Sequence, residues 1–181
     1  MKKMSISQIA VIGVMAAVIC ILGPFSIPIG PVPISFANLA ILFAVYVLGM
    51  KKGVISCLIY LLIGLIGVPV FSAFSSGPAK LFGPTGGYLI GYLFMAAIAG
   101  YFIDRFEEKK LPVFGGMVLG TLVLYAFGTA WLAHQAGMSF AAALMAGVIP
   151  FIPGDLVKIL IVLFVGPQIR KRLAAAGLFQ K

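Results

Sequence analysis

The chain has 181 residues, of which 62% are hydrophobic and 9% charged, and its mean hydropathy is +1.19. A water-soluble domain carries nearer ~25% charged residues, so a soluble fold is excluded and the chain reads as a single integral membrane domain, residues 1–181. The net charge of +9, from 13 Lys and Arg against 4 Asp and Glu, argues for no nucleic-acid partner, because the basic residues stand in small clusters between apolar runs, as in cytoplasmic membrane loops.

Met1-Lys2-Lys3 followed by an apolar run resembles a signal peptide, but no small-x-small cleavage site follows, so the run is read as a first span. Long apolar stretches broken by Pro, Gly or charge then predict six membrane-spanning helices. They are Ile6 to Leu22, Ile34 to Met50, Gly53 to Val68, Thr85 to Ile103, Val113 to Ala133 and Gly154 to Arg172. Pro167 is expected to bend the last one, since it interrupts the helical hydrogen-bond ladder. Ser139 to Val148, stopped by Pro150 and Pro153, is too short to span and reads as an interfacial or re-entrant helix. A β-barrel is excluded, because Ile9 to Leu22 and Gly53 to Val70 do not alternate polar with apolar residues. The fold class is thus an all-α membrane protein, a six-helix bundle, for which external ligand-covering loops are the expectation that the family resemblance given below adds.

Six spans put both termini, the 2/3 connection and the 4/5 connection on one side. That side collects Lys2, Lys3, Lys51, Lys52, Arg105, Lys109, Lys110, Arg170, Lys171, Arg172 and Lys181, which is 11 of the 13 basic residues. Both termini are therefore expected to be cytoplasmic. Small residues recur at helical spacing, as in Gly13 with Ala17, Gly83 with Gly87 and Gly91, and Gly116 with Gly120 and later Gly128. Such stripes permit close helix contact inside a bundle or a docking face for another membrane subunit.

A charge inside a span is costly and marks function by default. Asp155 and Lys158, three apart near the start of the last helix, share one face. They read either as a self-neutralising structural pair or as a polar site for a ligand group carrying both N–H and C=O. The long 3/4 connection adds aromatic faces (Phe71, Phe74, Phe82, Tyr88), hydroxyls (Ser72, Ser75, Ser76, Thr85) and Lys80. The 1/2 connection, Gly23 to Pro33, carries four prolines and reads as a stiff, extended lid. All three regions belong to the external face. Enzymatic chemistry finds no support: His134, the one histidine, reads as a helix-end residue, and no metal-ligand spacing occurs. A Gly-x-x-x-x-Gly-Lys-Ser/Thr phosphate loop is missing too. Asp104 and Asp155 are assigned to opposite faces. Trp131 reads as an interfacial anchor, and Cys20 and Cys57 as small hydrophobes.

Four segments carry a family resemblance: Gly30-Pro-Val-Pro-Ile34, Tyr60-Leu-Leu-Ile-Gly-Leu-Ile-Gly-Val-Pro-Val-Phe71, Phe82-Gly-Pro-Thr-Gly-Gly-Tyr-Leu-Ile-Gly91 and Ile149-Pro-Phe-Ile-Pro-Gly-Asp-Leu-Val-Lys158. In this order, across nearly the whole chain, they resemble the BioY family, the biotin-specific substrate-binding subunits of energy-coupling-factor transporters. Where that family commonly has a Gln-Thr pair after Pro33-Ile34, this chain has Ala37-Asn38, and Asn38 retains hydrogen-bonding ability. The resemblance implies six helices in a prokaryotic plasma membrane and an external biotin pocket covered by the 1/2 and 3/4 loops. Asp155, Lys158, Tyr88, Phe71, Ser75, Ser76, Lys80 and Asn38 are its expected ligand-binding residues. It implies no cofactor besides the transported biotin. It further implies that Gly13, Ala16 and Ala17 dock the first helix on a transmembrane coupling subunit that works with two ATPase subunits.

Overall fold

The computed structural model describes residues 5–28, 32–107 and 109–177. The expectations for Lys2, Lys3, Gly30 and Lys181 lie outside the described residues. Helix α1, Ile6–Leu22, starts on a capping box in which Ser5 Oγ accepts from Gln8 N and Gln8 Oε1 accepts from Ser5 N, both at 3.3 Å. Two short strands follow in the 1/2 connection, β1 (Ser26–Ile27) and β2 (Ile34–Ser35), paired antiparallel with Ser26 opposite Ser35. Ser35 Oγ donates to Gly23 O at 2.9 Å and accepts from Ala37 N at 3.0 Å, so one hydroxyl ties the end of α1 to the start of α2.

Helix α2, Ala37–Leu48, packs against α1 and the later helices α3, α5 and α8, and all of its residues but Leu39 and Phe43 are buried. Its apolar residues on every side suit that central place. The expected second and third spans meet at Gly49, whose φ of +80° breaks the helix in a conformation that favours glycine. The Asp104 carboxylate then accepts from Met50 N at 2.9 Å, capping α3, Met50–Leu65, and starting it three residues earlier than expected. The 3/4 connection folds into a single 3-10 turn, Ser72–Phe74, and a one-turn helix α4, Pro78–Leu81.

Helices α5 (Gly86–Phe106) and α6 (Lys110–Ala136) form the most extensive helix pair. Small residues make that approach possible: Gly116 lies against Phe102, Gly120 against Met95 and Gly128 against Tyr88. These stripes therefore serve internal packing. The expected interfacial segment is α7, Phe140–Gly147, capped by Ser139 Oγ accepting from Ala142 N at 3.2 Å. Helix α8, Ile152–Ala175, continues through Pro167.

Among the described residues three helices, α5, α6 and α8, are long and apolar enough to cross a membrane, while α1 and α2 are apolar but shorter. The outward face of α8 exposes Val157, Leu160, Ile161 and Phe164, an apolar surface suited to lipid. The structure thus shows a mostly helical protein of membrane type.

A candidate ligand cavity with a satisfied ion pair

A cavity with about 570 Å³ of space, part of it open to solvent, sits where seven parts of the fold converge. Val32, Pro33, Ile34 and Ser35 close it from the 1/2 connection, Asn38 enters from α2 and Tyr60 from α3. Ser72 and Thr85 come from the 3/4 connection, Tyr88, Leu89 and Tyr92 from α5, and Leu124 and Tyr125 from α6. Phe151, Asp155 and Lys158 complete it from the start of α8. The wall is mostly aromatic and aliphatic, with its polar atoms concentrated around Asp155.

Asp155 and Lys158 are each 6% exposed, and Lys158 Nζ lies 3.0 Å from Asp155 Oδ1. Burying two charges costs several kcal/mol each unless their remaining hydrogen-bond sites are met, and here they are met closely. Lys158 also donates to Ser35 O at 2.8 Å and to Asn38 Oδ1 at 3.0 Å, so all three ammonium protons have acceptors. Asn38 Nδ2 donates to Asp155 Oδ1 at 2.7 Å, and Tyr125 Oη donates to Asp155 Oδ2 at 2.6 Å. Asn38 Oδ1 also accepts from Leu39 N at 2.9 Å. The amide orientation of Asn38 follows, since only this one gives an acceptor to the lysine and a donor to the aspartate.

Two capacities are left over in this network. A carboxylate accepts about four hydrogen bonds, and among the described residues Asp155 receives three, leaving a site on Oδ2. Asn38 has a second amide hydrogen with no acceptor among the described residues. An acceptor and a donor therefore stand side by side in a largely apolar chamber, suited to a compact ligand group that presents N–H beside C=O. Lys158 contributes by fixing Asp155, Asn38 and the Ser35 carbonyl in place.

Of the residues expected at the site, Asp155, Lys158, Asn38 and Tyr88 are brought together in the cavity wall. Phe71, Ser75, Ser76 and Lys80 lie outside it. The connection reverses through Ala73 and Phe74, both at positive φ, and Phe71 N donates to Ser75 O at 3.0 Å. That turn sends Phe71 into the core, fully buried, with its ring edge-on to Tyr60 at 5.5 Å. Ser75 Oγ donates back to Ser72 O at 2.7 Å, and Ser76 is half-buried. Lys80 is half-buried in α4, where loss of water pushes its ammonium below the usual lysine value. Ser72 and Thr85, singled out only as hydroxyls of the connection, do line the cavity. Ser35, Tyr60, Tyr92 and Tyr125 were not expected there. Tyrosines within apolar helices were the available signal, since a buried Tyr hydroxyl usually has a partner.

Away from the cavity, α1 turns Ile12, Ala16 and Ile19 inward against α2 and α3, and Gly13 and Ala17 outward. Ala16, at 2% exposure, is thereby withdrawn from the expected docking surface. Trp131 Nε1 donates to Gly83 O at 3.0 Å, and His134 is exposed in the last turn of α6. Among the described residues no group of three or more His, Cys, Asp or Glu side chains is placed to hold a metal ion.

The BioY family model matches residues 1–175. The biotin transporter BioY2 of Lactococcus lactis subsp. cremoris is 33% identical over 174 residues, covering 96% of each chain. The biotin transporter BioY of Rhizobium etli is 37% identical over 90% of this chain and 92% of its own, and that of Thermotoga maritima 32% over 91% and 96%. A crystal structure of the S-component for biotin from an ECF-type ABC transporter matches with a TM-score of 0.85 at 31% identity, covering 93% of this chain and 95% of that one. The family match takes in every helix that contributes to the cavity, and the chain belongs to the BioY family.

Proposed function

We propose that this protein captures biotin at the external face of a prokaryotic plasma membrane, as the substrate-binding subunit of an ATP-driven energy-coupling-factor transporter. The observation that carries the reading is the unused acceptor on Asp155 beside the unused amide hydrogen of Asn38, counted among the described residues. A cyclic urea presents the complementary N–H and C=O from one rigid ring, and biotin is a cyclic urea on a small bicyclic body. The biotin names of the relatives and of the matching structure support the same ligand.

The bundle spans the membrane six times, with α1, α2, α3, α5, α6 and α8 as spans and both termini cytoplasmic. The cavity is built from the 1/2 and 3/4 connections and the start of α8, while Arg105, Lys109 and Arg170 belong to the opposite ends of their helices; the positive-inside rule makes the cavity external. Catalysis is not required of this chain. ATP hydrolysis belongs to two separate subunits, coupled through a transmembrane partner that meets α1 at Gly13 and Ala17. The test is retention of labelled biotin by membranes containing the protein. Excess biotin and desthiobiotin, which keeps the cyclic urea, should displace the label, whereas thiamine and riboflavin should not. Displacement by an unrelated vitamin, with none by desthiobiotin, would assign the cavity to another solute.

A further inference from the structure

Among the tyrosines of the cavity wall, Tyr125 donates to Asp155 and Tyr88 shares a hydrogen bond with Thr129 at 3.3 Å. Tyr60 differs. It is fully buried, it belongs to the cavity wall, and its hydroxyl has no hydrogen-bond partner among the described residues. Its ring is held in place: Phe71 packs edge-on at 5.5 Å and 83°, and only the missing side chain of Gly23 lets the backbone there pass beside it. Buried hydroxyls without a partner are destabilising and uncommon in native proteins. Phenylalanine would fill the same volume without that cost.

We propose that the Tyr60 hydroxyl is a specificity-determining ligand contact, donating a hydrogen bond to a neutral acceptor atom of the bound solute. The inference rests on the biotin reading and extends it from the Asp155 side of the cavity to the α3 side. Neutrality follows from the surroundings. The groups packed on the Tyr60 ring, the Phe71 ring and the backbone at Gly23, carry no charge. The lysine of the cavity, Lys158, has already committed all three protons. A carboxylate lodged against Tyr60 would be desolvated without a counter-charge. The acceptor therefore belongs to the neutral bicyclic body of the ligand, and the carboxylate tail lies away from α3.

The experiment compares Tyr60→Phe with the parent protein in three measurements: the ligand-free Tm, the Kd for biotin and the Kd for biotin methyl ester, which keeps the bicyclic body and removes the tail charge. The expected result is a ligand-free Tm equal to or above the parent's, with both solutes bound about three- to tenfold more weakly and by the same ratio. Unchanged affinities overturn the proposal. So does a loss confined to biotin, or a parent that binds biotin but not the ester, because either places the recognised acceptor on the charged tail. A lowered ligand-free Tm overturns it as well, by showing that the hydroxyl serves the fold. A parent that binds neither solute refutes the biotin reading itself. The Tm then still decides whether the hydroxyl is an unmet polar group, which a rise supports and a fall contradicts.

Discussion

Asp155→Asn removes the charge that Lys158 faces and turns one acceptor oxygen into an amide donor at nearly unchanged volume, and Lys158→Ala removes the donor that fixes Asp155, Asn38 and Ser35. Hydrogen bonds to charged groups contribute about 1.5–3 kcal/mol. Each variant should therefore bind biotin at least about tenfold more weakly while remaining folded, as read by size-exclusion chromatography and Tm. Parent-like binding by both would make the pair structural. The pair itself was legible in the sequence, because two opposite charges three apart in an apolar helix must either neutralise one another or meet a polar ligand. Its partners were only partly legible. Asn38 stands out as a polar residue in an apolar run, but the Ser35 carbonyl carries no side-chain signature, and Tyr125 reaches Asp155 only because α6 packs against α8.

At the level of elements, helix boundaries departed from the apolar runs wherever a distant residue supplied a cap or a break. Gly49 and the Asp104 carboxylate separate α2 from α3, and a contact between residues 50 and 104 cannot be read from periodicity. The spacing of small residues marked close approach but not its partner. Gly128 lies so near the Tyr88 ring that a methyl group there has no room. Gly128→Ala should cost about 1–3 kcal/mol of stability by overpacking and weaken biotin binding by shifting Tyr88 in the cavity wall; a parent-like Tm and Kd would show that the ring moves freely. On α1 the same chemistry faces outward, since nothing lies within 4 Å of a side chain built at Gly13. Gly13→Leu with Ala17→Leu should abolish ATP-dependent biotin accumulation in vesicles containing the coupling module, yet leave biotin binding unchanged. Undiminished accumulation would move the docking face elsewhere.

For the whole molecule, composition alone excluded a soluble fold, and charge distribution alone proposed its orientation. The cavity was not visible at that level, because it gathers residues from 32 to 158 of the chain. A cysteine at position 52 or 109 should resist impermeant thiol reagents in intact cells, and one at position 76 should label; the reverse pattern would invert the topology. The most direct measurement is calorimetric titration of the purified protein with biotin, alongside Asp155→Asn. The account predicts saturable binding of one biotin per chain, weakened at least about tenfold in the variant. No heat of binding to the parent, or the same affinity in both proteins, would contradict it.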